Sequence, residues 1–192
     1  MQNSNNQKSD TDLIHLALKQ PDDFSYIVER YEKKLARYIK RIAGLNNEDI
    51  QDVLQDIFIK VYQNLNAFDS SLKFSSWIYR ITHNEIISRW RKVKARPKSV
   101  GGDEIEIFLH NIASDLDIEK EINNKDLQNN IRRVLNKMDF KYREVLILKF
   151  LEEKSYEEIS DILKKPTGTV ATLINRAKKY FKKEADKIDI KF

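Results

Sequence analysis

Residues 155–179 read SYEEISDILKKPTGTVATLINRAKK. Ser155 with Glu158 three places on has the S-x-x-E form of a capping box, in which the two side chains satisfy orphan backbone amides at a helix start. The helix that follows carries Ile159, Ile162 and Leu163 at core spacing. Lys164 to Gly168 is a turn. A longer helix is predicted from about Thr169 past Phe181, with Val170, Ile174, Ala177 and Phe181 facing inward. A short capped helix, a brief glycine-containing turn and a longer basic helix form the pattern of a helix-turn-helix. The outward side of the second helix then shows Thr169, Thr172, Asn175, Arg176 and Lys179, side-chain types that bond base edges or phosphates. The competing reading is an ordinary helical hairpin, which more often shows Glu/Lys pairs at such positions.

Upstream, Ile131, Val134, Leu135 and Met138 are spaced for one helix, and Tyr142, Val145, Leu146, Leu148 and Phe150 for the next. This helical domain starts near Asp126. Residues 98–125 differ in character. They hold the only Gly-Gly pair, Gly101-Gly102, and seven acids against three bases, a local balance of −4. Their apolar residues form no long stripe, so the segment reads as an interdomain linker. Before it lies a second bundle of three helices. One runs from Phe24 through Ile42 and stops at Gly44. One is capped at Asn46 or Asn47 and carries Ile50, Val53, Leu54, Ile57, Phe58, Val61, Tyr62 and Leu65. The third spans about Phe74 to Trp90, with Phe74, Trp77, Ile78, Ile81 and Ile87 in the core. Residues 1–11 are polar and read as a flexible N-terminus.

Composition agrees with helices. Four glycines and three prolines in 192 residues are too few for the many turns of a sandwich or a doubly wound sheet. The chain has no cysteine, which excludes disulfides, cysteine nucleophiles and Cys-based metal sites, and fits a reducing compartment. No apolar run approaches the roughly 18 residues of a membrane span, and no signal peptide is visible. The expected location is cytoplasmic, without membrane insertion. The net charge is +5, and its distribution is more telling. Arg80, Arg89, Arg91, Lys92, Lys94, Arg96 and Lys98 close the first domain, interleaved with Trp77, Tyr79 and Trp90. Lys164, Lys165, Arg176, Lys178, Lys179, Lys182, Lys183 and Lys187 close the second. Two basic patches on two domains suit one polyanion contacted twice, with aromatics able to stack on unpaired bases.

Acids gather on the second helix of the first domain: Glu48, Asp49, Asp52 and Asp56, the last two sharing a face, with exposed Gln51, Gln55 and Asn64 near them. They suit a docking patch for a basic partner or a plain solvated face. A metal-dependent nuclease lacks a convincing third ligand. His15, His83 and His110 fit no zinc spacing, and no phosphate loop, dinucleotide fingerprint or nucleophile elbow occurs. No cofactor, metal or catalytic residue is expected. A free-standing helix-turn-helix regulator is the main rival reading, and it leaves the Asp52/Asp56 face and the acidic linker unexplained.

Four motifs occur in order: DVLQDIF at 52–58, FSSWIYRITHN at 74–84, SYEEI at 155–159 and PTGTV at 166–170. Together they closely resemble a group IV, or extracytoplasmic-function, sigma factor of the bacterial sigma-70 family, over about Asp12 to Lys187. The resemblance implies an all-α protein of two small domains: region 2 over 12–97, the linker over 98–125 and region 4 over 126–192. It implies a transcription initiation factor, not an enzyme, that binds core RNA polymerase and recognises the −35 and −10 promoter elements. Asp52, Gln55 and Asp56 match the face that docks on the β′ clamp helices. The loop Phe68 to Ser71, including Ser70, and the position Asn84 match where the family captures a flipped-out −10 base, and Arg80 and Arg91 can hold that strand's phosphates. Lys149, Thr172 and Arg176 match −35 contact positions, beside Thr169, Asn175 and Lys179 on the same helix. Region 4 also touches the β-flap, and the linker resembles the segment that threads the polymerase channels. With no sensory domain seen after region 4, regulation is expected from a separate anti-sigma factor or from expression level. The chain departs from the family at Ala171, Thr172 and Leu173, where many members carry basic residues.

Overall fold

The helix ends sit where capping chemistry places them. In the computed structural model, which describes residues 8–95 and 125–187, the first domain holds α1 (Asp10–Lys19), α2 (Ser25–Ala43), α3 (Asn47–Gln63) and α4 (Phe74–Ala95). The second holds α5 (Lys125–Lys137), α6 (Phe140–Leu146), α7 (Tyr156–Leu163) and α8 (Thr167–Asp186), with a π-helical turn at Ile147–Leu151 continuing α6. The flexible stretch expected over 1–11 is corrected at its end. Ser9 Oγ accepts from Asp12 N at 3.2 Å and Asp12 Oδ2 accepts from Ser9 N at 3.0 Å, so a capping box starts a helix at Asp10. Arg30 Nη1 and the Tyr31 hydroxyl both donate to Asp10, at 2.9 and 2.6 Å, and tie this helix to α2. The first domain is therefore a four-helix assembly. The linker expected over 98–125 lies outside the described residues apart from Lys125, which opens α5.

Gly44 ends α2 in the left-handed region at φ 62° while its amide bonds Lys40 O, a conformation that glycine adopts without steric cost. Asn46 then caps α3 by accepting from Asp49 N at 2.8 Å. Leu13, Ile27, Leu35, Ile39, Ile57 and Ile78 bring all four helices into one core, each buried side chain contributing about 1.5–3 kcal/mol. An aromatic cluster closes one end. Phe68 meets Phe74 and Trp77 at ring separations of 5.3 Å, and Phe74 meets Tyr31 at 5.5 Å. Ile87, expected in the core, is only half-buried.

In the second domain Val134, Val145, Leu148, Ile159, Val170 and Ile174 form the core, and α8 packs on α5, α6 and α7. The Ser155 box forms as expected, with Glu158 N donating to Ser155 Oγ at 3.2 Å and Ser155 N to Glu158 Oε2 at 2.8 Å. Among the described residues two non-glycine residues sit in left-handed geometry, Glu153 at φ 52° and Lys164 at φ 51°. The domains also touch one another. Helix α7 lies along α4, and α2 meets the π-helical turn.

Candidate nucleic-acid interface

Helix α8 presents Thr169, Thr172, Asn175, Arg176 and Lys179 to solvent, while Val170, Ile174 and Ala177 on its other side are buried. It begins at Thr167, two residues before the expected start. The Ser160 hydroxyl donates to Lys165 O at 2.6 Å and fixes the turn that aims it. Thr172 Oγ1 donates to Gly168 O at 2.9 Å. Its hydroxyl proton is thereby used inside the helix, so toward a base edge it offers lone pairs only. Lys149 stands apart from this face. Its Nζ donates to Lys154 O at 3.3 Å and lies 5.1 Å from the Tyr156 ring centre.

On the first domain, Asn84 and Arg91 line one cleft of about 360 Å³ together with His83, Ser88, Leu163 and Lys165. An exposed amide and a guanidinium here can bond a base edge and a phosphate. Arg80 is half-buried on the same helix. Phe68 and Ser70 belong to a different neighbourhood, near the start of α4, about 15 Å of helix from Asn84. Phe68 contributes its ring to the aromatic cluster, and Ser70 is exposed in a turn where Asp69 Oδ1 accepts from Ser71 N at 2.9 Å. The two bonds from Ser71 hold the Asp69 carboxyl below its usual range.

The third surface is on α3. Asp52, Gln55 and Asp56 are exposed, and the stripe continues into Ile59 and Tyr62, 47% and 44% exposed. The sequence reading put Tyr62 on the apolar side and passed over Ile59. Their exposure beside the acids gives this face a mixed acidic and apolar character. Asp56 pairs with Arg89 of α4, and Arg89 Nε also bonds Glu85 Oε1 at 2.9 Å. Burial works to raise the Glu85 carboxyl, but the hydrogen bonds and charges of Lys60 and Arg89 outweigh it and hold it low. Phe150, spaced with the apolar residues of its helix, is 48% exposed, with Lys178 Nζ 5.2 Å from its ring centre.

Between the domains lies a seam of polar groups. Arg41 Nη1 donates to Glu152 Oε1 at 2.7 Å and to Leu151 O at 2.8 Å, and the Tyr79 hydroxyl donates to Glu152 Oε2 at 2.7 Å. Tyr38 Oη is 3.1 Å from His83 Nδ1, and His83 Nε2 is 3.6 Å from Glu144 Oε2. Burial pushes His83 down to about 4 and Glu144 up to about 7. Trp90 packs on Phe140 at 5.3 Å. Among the described residues no group of three His, Cys, Asp or Glu is placed to hold a metal, and no helix is long and apolar enough to cross a membrane.

These surfaces define a class: a two-domain helical DNA-binding protein that carries a separate acidic and apolar face. The family model for Sigma-70 region 2 matches residues 27–96, and that for Sigma-70 region 4 matches residues 128–180. The chain is 34% identical over 167 residues to the ECF RNA polymerase sigma factor SigW of Bacillus subtilis, covering 85% of this chain and 89% of that protein. It is 32% identical over 162 residues to the ECF RNA polymerase sigma-E factor of Escherichia coli, covering 81% and 82%. CnrH, solved in complex with the cytosolic domain of CnrY, superposes with a TM-score of 0.68 at 23% identity, covering 95% of this chain and 100% of that one. The sigma factor RpoE of Bartonella quintana, solved with the anti-sigma factor NepR, gives 0.63 at 19% identity over 88% and 99%. These two likenesses speak to the fold. The chain belongs to the sigma-70 family, in its extracytoplasmic-function group, and is a promoter-directing transcription initiation factor rather than an enzyme.

Proposed function

We propose that the chain divides initiation between its domains, with region 2 over 12–97, the linker over 98–125 and region 4 over 126–192. The α3 stripe of Asp52, Gln55 and Asp56, extended by Ile59 and Tyr62, docks on the β′ clamp helices of core RNA polymerase. Asn84 reads a flipped −10 base, Arg80 and Arg91 hold its strand, and the Phe68–Ser71 loop shapes the pocket mouth. Thr169, Thr172, Asn175, Arg176 and Lys179 meet the −35 duplex, while Lys149 supports that helix-turn-helix from behind and reaches DNA only if its bond to Lys154 O yields. Region 4 also meets the β-flap, and an anti-sigma factor of the kind seen with related sigma factors is the expected regulator. The protein works where polymerase and promoter are, in the cytoplasm.

The observation that carries this reading is the coexistence of two DNA-competent surfaces with an acidic, apolar stripe that DNA would repel. A free-standing regulator has no use for that stripe. The test is reconstitution: core polymerase with the purified chain should yield transcripts from specific promoters, and core alone should not. Tight, palindrome-specific binding by the isolated chain with no effect on polymerase would favour the rival.

A further inference from the structure

One face of α4 and one face of α6 border a common cavity. His83, Trp90 and Arg91 recur at helical steps along α4, and Phe140 and Glu144 stand one turn apart on α6. With Lys165 they line a space of about 430 Å³, inside the roughly 300–1,000 Å³ of small-molecule sites. The cleft beside Asn84 shares His83, Arg91 and Lys165 with it.

Three features of this lining suit a ligand. The rings form a wall: Phe140 lies 5.3 Å from Trp90 and 6.3 Å from His83, tilted by 33° and 30°. Trp90 and Phe140 are only half-buried. Next, Arg91 and Lys165 bring two positive charges, and neither has an ion pair among the described residues. The Lys165 backbone is held from behind, its amide donating to Ser160 O at 3.2 Å and its carbonyl accepting from the Ser160 hydroxyl at 2.6 Å. Last, the Glu144 side chain is 6% exposed, yet its carboxyl has no hydrogen bond among the described residues. His83 Nε2 stands 3.6 Å from it, beyond hydrogen-bond reach. Buried polar groups are almost always satisfied, and this one borders a cavity instead. Burial raises its carboxyl to about 7, so near neutral pH it offers an O–H donor as well as an acceptor.

An inorganic anion would use the two cations and leave the wall and the acid idle. An apolar molecule would leave the cations idle. A flat heteroaromatic ring that carries a phosphate uses all three, by stacking, by edge bonds and by charge-assisted bonds. We propose that the cavity between α4 and α6 binds a mononucleotide, its base on the Trp90–Phe140 wall with an edge bonded to Glu144, and its phosphate held by Arg91 and Lys165. The inference is independent of promoter reading, since the ligand is a free nucleotide and the site requires α6 of the second domain.

Titration calorimetry on the full chain, without polymerase or DNA, tests it with AMP, adenosine and inorganic phosphate. AMP should saturate one site and bind at least tenfold tighter than either of the others. Arg91→Ala and Lys165→Ala should each weaken AMP at least fivefold and leave adenosine within about twofold. Phe140→Leu should weaken AMP and adenosine by the same factor. Where Phe140→Leu loses helicity, the two cation variants decide. Trp90 is one of two tryptophans in the chain, and the other, Trp77, is buried, so quenching of the indole emission should follow the same curve. The absence of saturable AMP binding at millimolar concentration overturns the proposal. So does phosphate binding as tight as AMP, or no change with Lys165→Ala. AMP binding lost in Asn84→Ala and kept in Lys165→Ala belongs to the −10 surface and overturns it as well. A failure of promoter-specific transcription leaves these titrations untouched, so the two readings fail separately.

Discussion

Glu144→Gln should stabilise the protein above pH 7 and leave it unchanged near pH 4. Glu144 is buried with Oε2 facing His83 Nε2 at 3.6 Å. Burial lifts its carboxyl from 4.5 to about 7, against the opposing charges of Lys165 and Arg143. Between those pH values the unfolded chain gives up a proton that the folded chain keeps. Raising the pH therefore favours unfolding across that window, and the deficit is constant above it. At about 1.36 kcal/mol per pH unit the full deficit is on the order of 3 kcal/mol. Glutamine keeps the shape and an oxygen for His83, and removes the titration. The variant's gain should grow from nothing at pH 4 to about 3 kcal/mol at pH 8, some 6–12 °C in Tm for a chain of this size. His83 supplies the opposite slope. Burial pushes it from 6.5 to about 4, so as pH falls through that range the unfolded chain gains the proton first and stability drops. In wild type the two slopes offset each other between about pH 4.5 and 6.5. Glu144→Gln exposes the histidine slope alone, and His83→Gln the glutamate slope. Urea melts of all three proteins from pH 4 to 8 make the test. An equal offset at every pH, or a loss of stability at pH 8, would refute the reasoning and mean that the folded carboxylate is ionised against an imidazolium.

Four further outcomes are expected. Glu153→Gly and Lys164→Gly relieve left-handed backbone at φ 52° and 51°, and each should raise the urea midpoint by the equivalent of about 0.5–1 kcal/mol, the steric relief of about 1–2 kcal/mol exceeding the added chain entropy. Asp52→Lys with Asp56→Lys should leave the helical signal intact while co-purification with core polymerase collapses, since like charges against a basic face cost several kcal/mol. Asn84→Ala should spare core binding yet slow −10 opening, read by permanganate reactivity, and a pre-melted template should restore much of the rate. Ala171→Arg should strengthen holoenzyme binding to consensus and mismatched −35 duplexes alike and steepen the salt slope by about one, whereas Arg176→Ala should cost about 1–3 kcal/mol on the consensus alone. Fluorescence anisotropy at several salt concentrations separates the two, and equal losses on all sites for Arg176→Ala would show that it grips phosphate.

The helix-turn-helix was legible because its signals are local: a box four residues long, a turn, and a stripe at helical spacing. Helix α1 escaped notice because only Leu13, Ile14 and Ala17 are buried, too short a stripe to stand out beside a polar N-terminus. Tyr62 and Phe150 sit at the margin of wide apolar stripes, and periodicity does not say which margin a neighbour covers. The domain seam was illegible for a deeper reason. Arg41 and Glu152 are separated by 111 residues, and each alone looks like a solvated charge on a helix or turn. Nothing in composition or spacing tells a lone acid that it will be shared by an arginine and a tyrosine of another domain. The candidate −35 face was suggested by residue type along one helix, and the candidate −10 residues only by the family resemblance. Grouping Asn84 with Arg91, and setting Phe68 apart from them, needed three dimensions.

The pairing of Asp56 with Arg89 gives the α3 face an unequal character. Asp52 has no ion pair among the described residues, while Asp56 already has a cation. A guanidinium arriving from a partner adds a bond at Asp52, but at Asp56 it can only change the tenant. The gain there is a difference between two similar bonds, and the evicted Arg89 keeps Glu85 as its remaining anchor. Asp52→Asn should therefore weaken docking more than Asp56→Asn, although the two carboxylates lie one turn apart on the same helix. An exchange of this kind contributes little to tightness. It sets selectivity, because a lysine or a neutral side chain in the partner's place is a poor substitute for the planar fork that must leave.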